Sequence, residues 1–412
     1  MMNKKNKTKM DKIFVSTLIT LTGFSATTMA KTVQRKSSLP QHMMNKVIKK
    51  QFQSDKKKQE KKKIRLSFDP SVLTSEYSSW GVEPSNRTSS INLVPAWKTF
   101  RKKKDIVVAV IDTGIDPKHP FLKDNIYVTK GSPSVMNYGI DFSKNRKNAG
   151  QPFDDHGHGT HVSGIIKSVY PNVKILSLKY YNPKASGQDN LDSTIEALRY
   201  AVEQNVDVIN YSGGGPEPAL EELKILKEAE RKGILVVAAA GNEESNIDIR
   251  SNAYYPASYG LKNIITVTAH NKQLQMLGSS NWGKKSVDIS APGYRIRSAL
   301  PKGRSGYLTG TSQATAFVSG AAALIMSQYP ELSTEEVKEV IKQSAKQEAT
   351  LMAKCSSGGR LDAGHAQVFA AQYLKAKKTR GLATKNREVA QVSKKRKAKR
   401  VVPGKIIYRK AN

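Results

Sequence analysis

Cysteine is all but missing: Cys355 is the only one in 412 residues. That excludes an intrachain disulfide, so the fold must rest on its apolar core. Long apolar runs are scarce as well. The one candidate, Ile13 to Phe24, is too short for a comfortable transmembrane helix, and no other stretch is long and apolar enough to span a bilayer. No internal repeat is present, which excludes a solenoid. Acidic residues are scarce only at the ends. Residues 1–65 hold 18 Lys/Arg against 3 Asp/Glu, residues 375–412 hold 15 against 1, and residues 66–374 hold 35 against 30. The net charge of +34 therefore belongs to the two tails. The middle has an ordinary globular composition, which argues against reading the whole chain as a nucleic-acid binder.

At the N-terminus, Lys4, Lys5, Lys7, Lys9 and Lys12 precede the short apolar run, and small residues follow to Ala30. This is the layout of a secretory signal peptide over 1–30, an uncleaved anchor being the alternative. Residues 31–78 are expected to form a Lys-rich pro-segment or linker. Residues 79–374 form the folded domain, in which Trp80 and Ile91–Trp97 hug the surface ahead of the core. Residues 375–412, with Lys394–Lys397, Lys399 and Arg400, form a basic disordered tail that could meet an anionic surface or polymer.

Inside the domain, strand and helix patterns alternate. Asp105–Asp112 is a continuous β-branched run, as in a strand buried on both faces. Further strands are expected at 173–178, 206–211, 233–240, 263–268 and 286–290. Helices are expected near 160 and over 190–204, 217–231, 311–328, 332–346 and 361–374. The alternation predicts an α/β fold: a doubly wound, mostly parallel central sheet with helices on both faces.

Four residues stand at junctions of these elements. Asp112 ends the first strand, where doubly wound sheets place their sites; taken alone it is equally a turn-capping residue. His158 lies in Asp154-Asp-His-Gly-His158-Gly-Thr-His161 at a helix start, where the dipole disfavours its charged form. Three histidines so close raise metal binding, but the stretch lacks a His-Glu-x-x-His arrangement and no distant Cys/His cluster completes a tetrahedral set, so no metal site is expected. Asn242 follows another strand. Ser312 enters the small-residue helix that begins at Gly310-Thr311, which fixes a hydroxyl and frees a backbone N–H; alone it reads equally as a helix cap.

The stretches Val-Ala-Val-Ile-Asp112-Thr-Gly-Ile-Asp, His-Gly-His158-Gly-Thr-His-Val-Ser-Gly, Ala-Ala-Ala-Gly-Asn242-Glu and Gly-Thr-Ser312-Gln-Ala together resemble the subtilisin family of serine proteases, over about 80–374. The resemblance implies a secreted serine endopeptidase with Ser312 as nucleophile, His158 as general base and acid, and Asp112 as its orienting carboxylate. Asn242 and the Ser312 N–H would form the oxyanion hole. Ser212, Gly213 and Gly214 would pair with an extended peptide, and Ser186 and Gly187 would line the opposite wall. The partners implied are protein or peptide substrates, met as a monomer. Four departures stand out: Gln313 replaces the usual methionine, Ala316 the usual proline, the segment after His158 is short, and Phe121 stands where relatives have an acid. No cofactor is expected to be required, and the usual strong structural calcium site is expected to be missing.

Overall fold

The computed structural model describes residues 66–128, 138–143 and 151–398. The expected signal peptide, the Lys-rich stretch to residue 65 and residues 399–412 lie outside the described residues.

The strands are β1 (Val107–Asp112), β2 (Gly139–Asp141), β3 (Lys174–Lys179), β4 (Val208–Tyr211), β5 (Leu235–Ala239), β6 (Ile264–His270), β7 (Ile289–Pro292), β8 (Ile296–Leu300), β9 (Arg304–Leu308), β10 (Lys346–Gln347) and β11 (Gly359–Arg360). The helices are α1 (Leu93–Thr99), α2 (His158–Val169), α3 (Gly187–Glu203), α4 (Leu220–Arg231), α5 (Thr311–Gln328), α6 (Thr334–Gln343) and α7 (Ala363–Ala398). One sheet runs β10-β11-β7-β6-β5-β4-β1-β3-β2, and β8 and β9 form a separate hairpin. Neighbours in the sheet are parallel except the edge pair β10 and β11. The expected α/β architecture is the one observed.

β1 shows why its run is apolar throughout. Val108 and Val110 face one core, with α1, α2, α5, α6 and α7. Ala109 and Ile111 face the other, with α3 and α4. Alternate side chains of a strand point to opposite faces, and here helices cover both. At the centre lies α5, every residue of which is buried. Its small residues let it approach its neighbours closely: a Cβ on Gly320 would stand 2.7 Å from Val169 Cβ. Because β1 lies between β3 and β4, the chain reverses its winding there. The carboxyl ends of β1, β4 and β5 therefore open a crevice.

Three expectations need correction. Residues 66–78, expected in the Lys-rich pro-segment or linker, belong to the folded body. Phe68 packs its ring 5.0 Å from Trp97 and 4.9 Å from Phe100, and Leu73 is buried, so these apolar residues belong to the core. Trp97 is itself fully buried and does not hug the surface; its indole N–H donates to the Val169 carbonyl. The tail is helical rather than disordered as far as Ala398, since α7 continues past residue 374. The stretch is rich in Ala, Lys and Gln and contains no proline, so nothing stops the helix, and Lys377 pairs with Glu336 at 2.8 Å. Smaller differences have local causes. α4 starts after Pro218, which forces Glu217 out of helical geometry. α6 starts where Leu332-Ser-Thr-Glu-Glu336 predicts, with Ser333 and Glu336 forming a capping box.

Candidate active site

The crevice gathers residues from five elements. Asp112 closes β1 and is almost fully buried. Its Oδ1 accepts from the Thr113 N–H at 2.8 Å and lies 2.7 Å from His158 Nδ1. His158 is the first residue of α2, after Gly157 in the left-handed region (φ 102°). Gly159 must also be glycine: a Cβ there would meet the Gly114 carbonyl at 2.2 Å. These two glycines let the helix end approach Asp112.

The electrostatics of His158 differ from expectation. Burial opposes its charged form, but the Asp112 carboxylate outweighs burial through charge and hydrogen bonding. The imidazole pKa is raised above its ordinary 6.5. A full charge 2.7 Å away in a half-buried site exceeds the partial charge of a helix end. His161 behaves oppositely. Buried, with Nε2 against the carbonyls of Ile296 and Gly306, it is pushed down to about 4 and stays neutral. His156 is exposed, its ring 5.6 Å from that of Tyr181. The three histidines thus face different partners. Among the described residues, no group of three or more His, Cys, Asp or Glu could hold a metal ion.

Ser312 is the second residue of α5, whose cap Gly310 has φ 155°. The Asn242 side chain has its Oδ1 occupied by the Thr311 N–H at 3.0 Å and lies close to the Thr311 hydroxyl at 3.3 Å. Its Nδ2 is therefore the end left to donate elsewhere. A Cβ on Gly310 would crowd Asn242 Oδ1 and Gln313 Oε1, both at 3.3 Å. The Ser312 hydroxyl donates to the Ser212 carbonyl at 3.1 Å, and His158 Nε2 faces Gln313 Nε2 at 3.5 Å. The serine and the imidazole are thus gathered into one crevice but each is engaged with another neighbour.

Ser212 follows β4 and is fixed from below by Asn210, whose Nδ2 donates to Ser212 Oγ at 2.9 Å. Gly213 and Gly214 stand against tyrosines. Added Cβ atoms would meet the Tyr180 hydroxyl at 2.5 Å and Tyr254 Cε1 at 2.4 Å. Ser186 caps α3, its hydroxyl accepting from the Asp189 N–H, and Gly187 is exposed with open space around it. The contacts of this pair are with α3 and solvent, not with the other predicted residues.

Sequence reasoning missed the supports. Asp154 is fully buried and accepts from the Thr113 and Thr160 hydroxyls and from the N–H groups of His156, Gly157 and Thr160. Thr113 in turn accepts from the Gly159 N–H at 2.9 Å. An Asp shortly before a Gly-bracketed helix start is a readable capping pattern. Tyr180, Tyr254 and Asn281, which shape the crevice through long-range packing, carry no such local mark.

At Phe121, where an acid would favour a cation, the ring lies under Lys167 Nζ at 4.7 Å, and the same ammonium donates to the Phe121 carbonyl.

The model of the subtilase family matches residues 103–369. The chain belongs to the subtilase family. It is a subtilisin-like serine endopeptidase, a hydrolase of peptide bonds. The similar proteins include the major intracellular serine protease of Bacillus subtilis (strain 168), 35% identical over 253 residues, 59% of this chain and 75% of that protein. Subtilisin E of the same strain is 36% identical over 250 residues, 58% of this chain and 60% of that protein. Subtilisin-like protease 2 of Plasmodium falciparum is 32% identical over 278 residues, 64% of this chain and 20% of that protein. The match thus spans about three fifths of the length of subtilisin E. These names include both an intracellular protease and subtilisins.

Proposed function

We propose that this subtilase cleaves peptide bonds through an acyl-enzyme formed on Ser312. The observation that carries this reading is the 2.7 Å contact of Asp112 with His158 in the crevice that holds Ser312 and Asn242. Ser312 rotates off the Ser212 carbonyl and gives its proton to His158 Nε2 as Oγ attacks the substrate carbonyl. Asp112, fixed by the Thr113 N–H, keeps the imidazole in the tautomer with a proton on Nδ1 and stabilises its cation. The oxyanion takes hydrogen bonds from Asn242 Nδ2 and the Ser312 N–H at the positive end of α5. His158 then protonates the leaving amine, and water repeats the sequence to release the acid.

Freeing the Ser212 carbonyl and leaving Gly213 and Gly214 bare supports pairing of an extended substrate along this edge. Ser186 and Gly187 would border its far side. No metal takes part in the reaction, and the Lys167 ammonium supports the reading that a protein cation replaces calcium beside Phe121. The N-terminal pattern of residues 1–30 supports export, with the enzyme acting as a monomer outside the cytoplasm. The basic C-terminal residues would hold it to an anionic surface or polymer.

The test is a fluorophosphonate probe on the exported protein, followed by intact mass and N-terminal sequencing. One equivalent on Ser312, lost in Ser312→Ala, is the expected result. Labelling elsewhere, or none on a folded protein, removes the mechanism. A start at Met1 in the exported material removes the processed leader.

A further inference from the structure

The β8–β9 hairpin borders the imidazole side of the crevice. Leu300 and Pro301 stand 3.3 and 3.4 Å from where a Cβ on Gly157 would lie, one residue before His158. β9 then leads through Thr309 and Gly310 to Ser312. From Gly293 to Thr311 the chain carries Arg295, Arg297, Lys302 and Arg304 and no Asp or Glu. Arg295, Lys302 and Arg304 are exposed and Arg297 is half-buried.

Their recorded partners are neutral. Arg295 and Arg297 both lie over the ring of Tyr307, at 5.4 and 5.9 Å. Arg297 Nε and Nη2 lie 3.3 and 2.9 Å from Ser305 Oγ, and Arg304 Nε donates to the Pro301 carbonyl. None forms an ion pair among the described residues. Two carboxylates are near. Asp116 is buried and takes the backbone N–H groups of Lys118 and Lys302. Glu83, on the rim of the groove shared with Trp80, Arg295, Arg297 and Tyr307, takes the Ser85 hydroxyl. Tyr307 itself is 56% exposed. Two guanidinium groups held on one exposed ring, with Glu83 as the one carboxylate lining their groove, leave a net positive field facing solvent.

We infer that this Arg–Tyr surface of the hairpin binds acidic residues of the substrate on the leaving-group side of the cut. The inference rests on the acyl-enzyme reading, because that reading lays the acyl side along Ser212–Gly214 and so sends the leaving side past His158 towards the hairpin. Tyr307 lies five positions before Ser312, hence at most about 16 Å from it, which a peptide spans within three to five residues beyond the cut. Charged pairs at such an exposed surface are each weak, so the surface acts through their sum and through steering.

The test compares two fluorogenic peptides, identical up to the cut and carrying either three Glu or three Gln at the third to fifth positions after it. At low salt kcat/KM should be about fivefold higher for the Glu peptide, and the ratio should fall towards one in high salt. Arg295→Gln with Arg297→Gln should bring the ratio to about one while leaving the Gln peptide unchanged. Arg295→Lys with Arg297→Lys should keep most of it, which separates charge from folding. The same Glu and Gln peptides bound to Ser312→Ala give a second ratio, of Kd values, that needs no turnover. A Gln-to-Glu Kd ratio above one, together with no cleavage of either peptide by the unaltered enzyme, refutes the acyl-enzyme reading and leaves the docking surface standing. Ratios of one in the unaltered hairpin, or a preference untouched by the double Gln variant, overturn the inference; binding of polyphosphate without a Glu preference overturns it too.

Discussion

Two helix starts meet in the crevice, and they are held in opposite ways. The start of α2, which carries His158, is tied down by a buried carboxylate: Asp154 takes the N–H groups of His156, Gly157 and Thr160 and two hydroxyls. The start of α5, which carries Ser312, has no side-chain cap of its own. Asn242, from the far side of the crevice, takes the Thr311 N–H instead. The proposed base is thus fixed in backbone and ring, whereas the proposed nucleophile has a fixed backbone and a hydroxyl held by one hydrogen bond, to the Ser212 carbonyl. Such a division suits a reaction in which one oxygen must move between partners while the proton acceptor and the oxyanion donors stay still.

The contrast can be broken most severely at the nucleophile. Ser312→Ala should lower kcat by about 10⁶-fold, the size of the effect in subtilisin itself, with an unchanged melting temperature. Steady-state peptide hydrolysis and calorimetry on the same preparation check both halves. Next comes the borrowed cap. Asn242→Ala should cost about 10²–10³ in kcat with KM little altered, again the range set by subtilisin. A loss spread into KM would mean that Asn242 binds ground-state substrate and not the oxyanion.

At the other helix start the larger penalty should fall on stability. Asp154→Ala leaves three N–H groups, two of them buried, and two hydroxyls without their acceptor. Urea unfolding should show a loss of about 3 kcal/mol or more. If α2 keeps its stability, the capping account is wrong.

Acid sharpens the comparison further. His161 and His270 are buried, with pKa values pushed down to about 4 and about 3. For these bases the folded values lie below the unfolded value near 6.5. Their neutral forms therefore contribute stability that is full above 6.5 and is lost as pH falls from there towards 4. The slope should approach about 2.7 kcal/mol per pH unit while both titrate only in the unfolded chain. Activity should fall on the same side for a different reason. The His158 pKa is raised, so the rising limb of kcat/KM should lie above 6.5. A limb below 6.5 would mean that burial, not Asp112, prevails.

The smallest effect is expected at Gln313. Its amide faces Nε2 of His158 and, as a donor, favours the neutral ring. Gln313→Met should move the limb upward and change kcat by less than about tenfold, and Gln313→Asn should act in between. No movement of the limb would leave Gln313 as packing alone.

The comparison also marks what could be read in advance. β1, β4 and β5 are legible because strands buried on both faces need unbroken apolar runs, and Asp112, Ser212 and Asn242 lie at or just beyond their ends. α6 is legible because its capping box is local. The helical continuation past residue 374 and the buried Phe68 are not, since a Lys-rich segment fits tail and helix alike and one aromatic residue does not reveal its partner.

What the sequence determined by itself is therefore the sheet, the family and the four residues at its strand and helix ends, because each is written in a short stretch of chain. Tertiary structure alone decided which way His158 titrates, that Asn242 rather than a local side chain holds the start of α5, that Tyr180 and Tyr254 back the glycines, and that the hairpin cations form no ion pair among the described residues. Each of these depends on atoms far apart in the chain arriving within a few ångströms, which the packing of helices and hairpin against the sheet brings about.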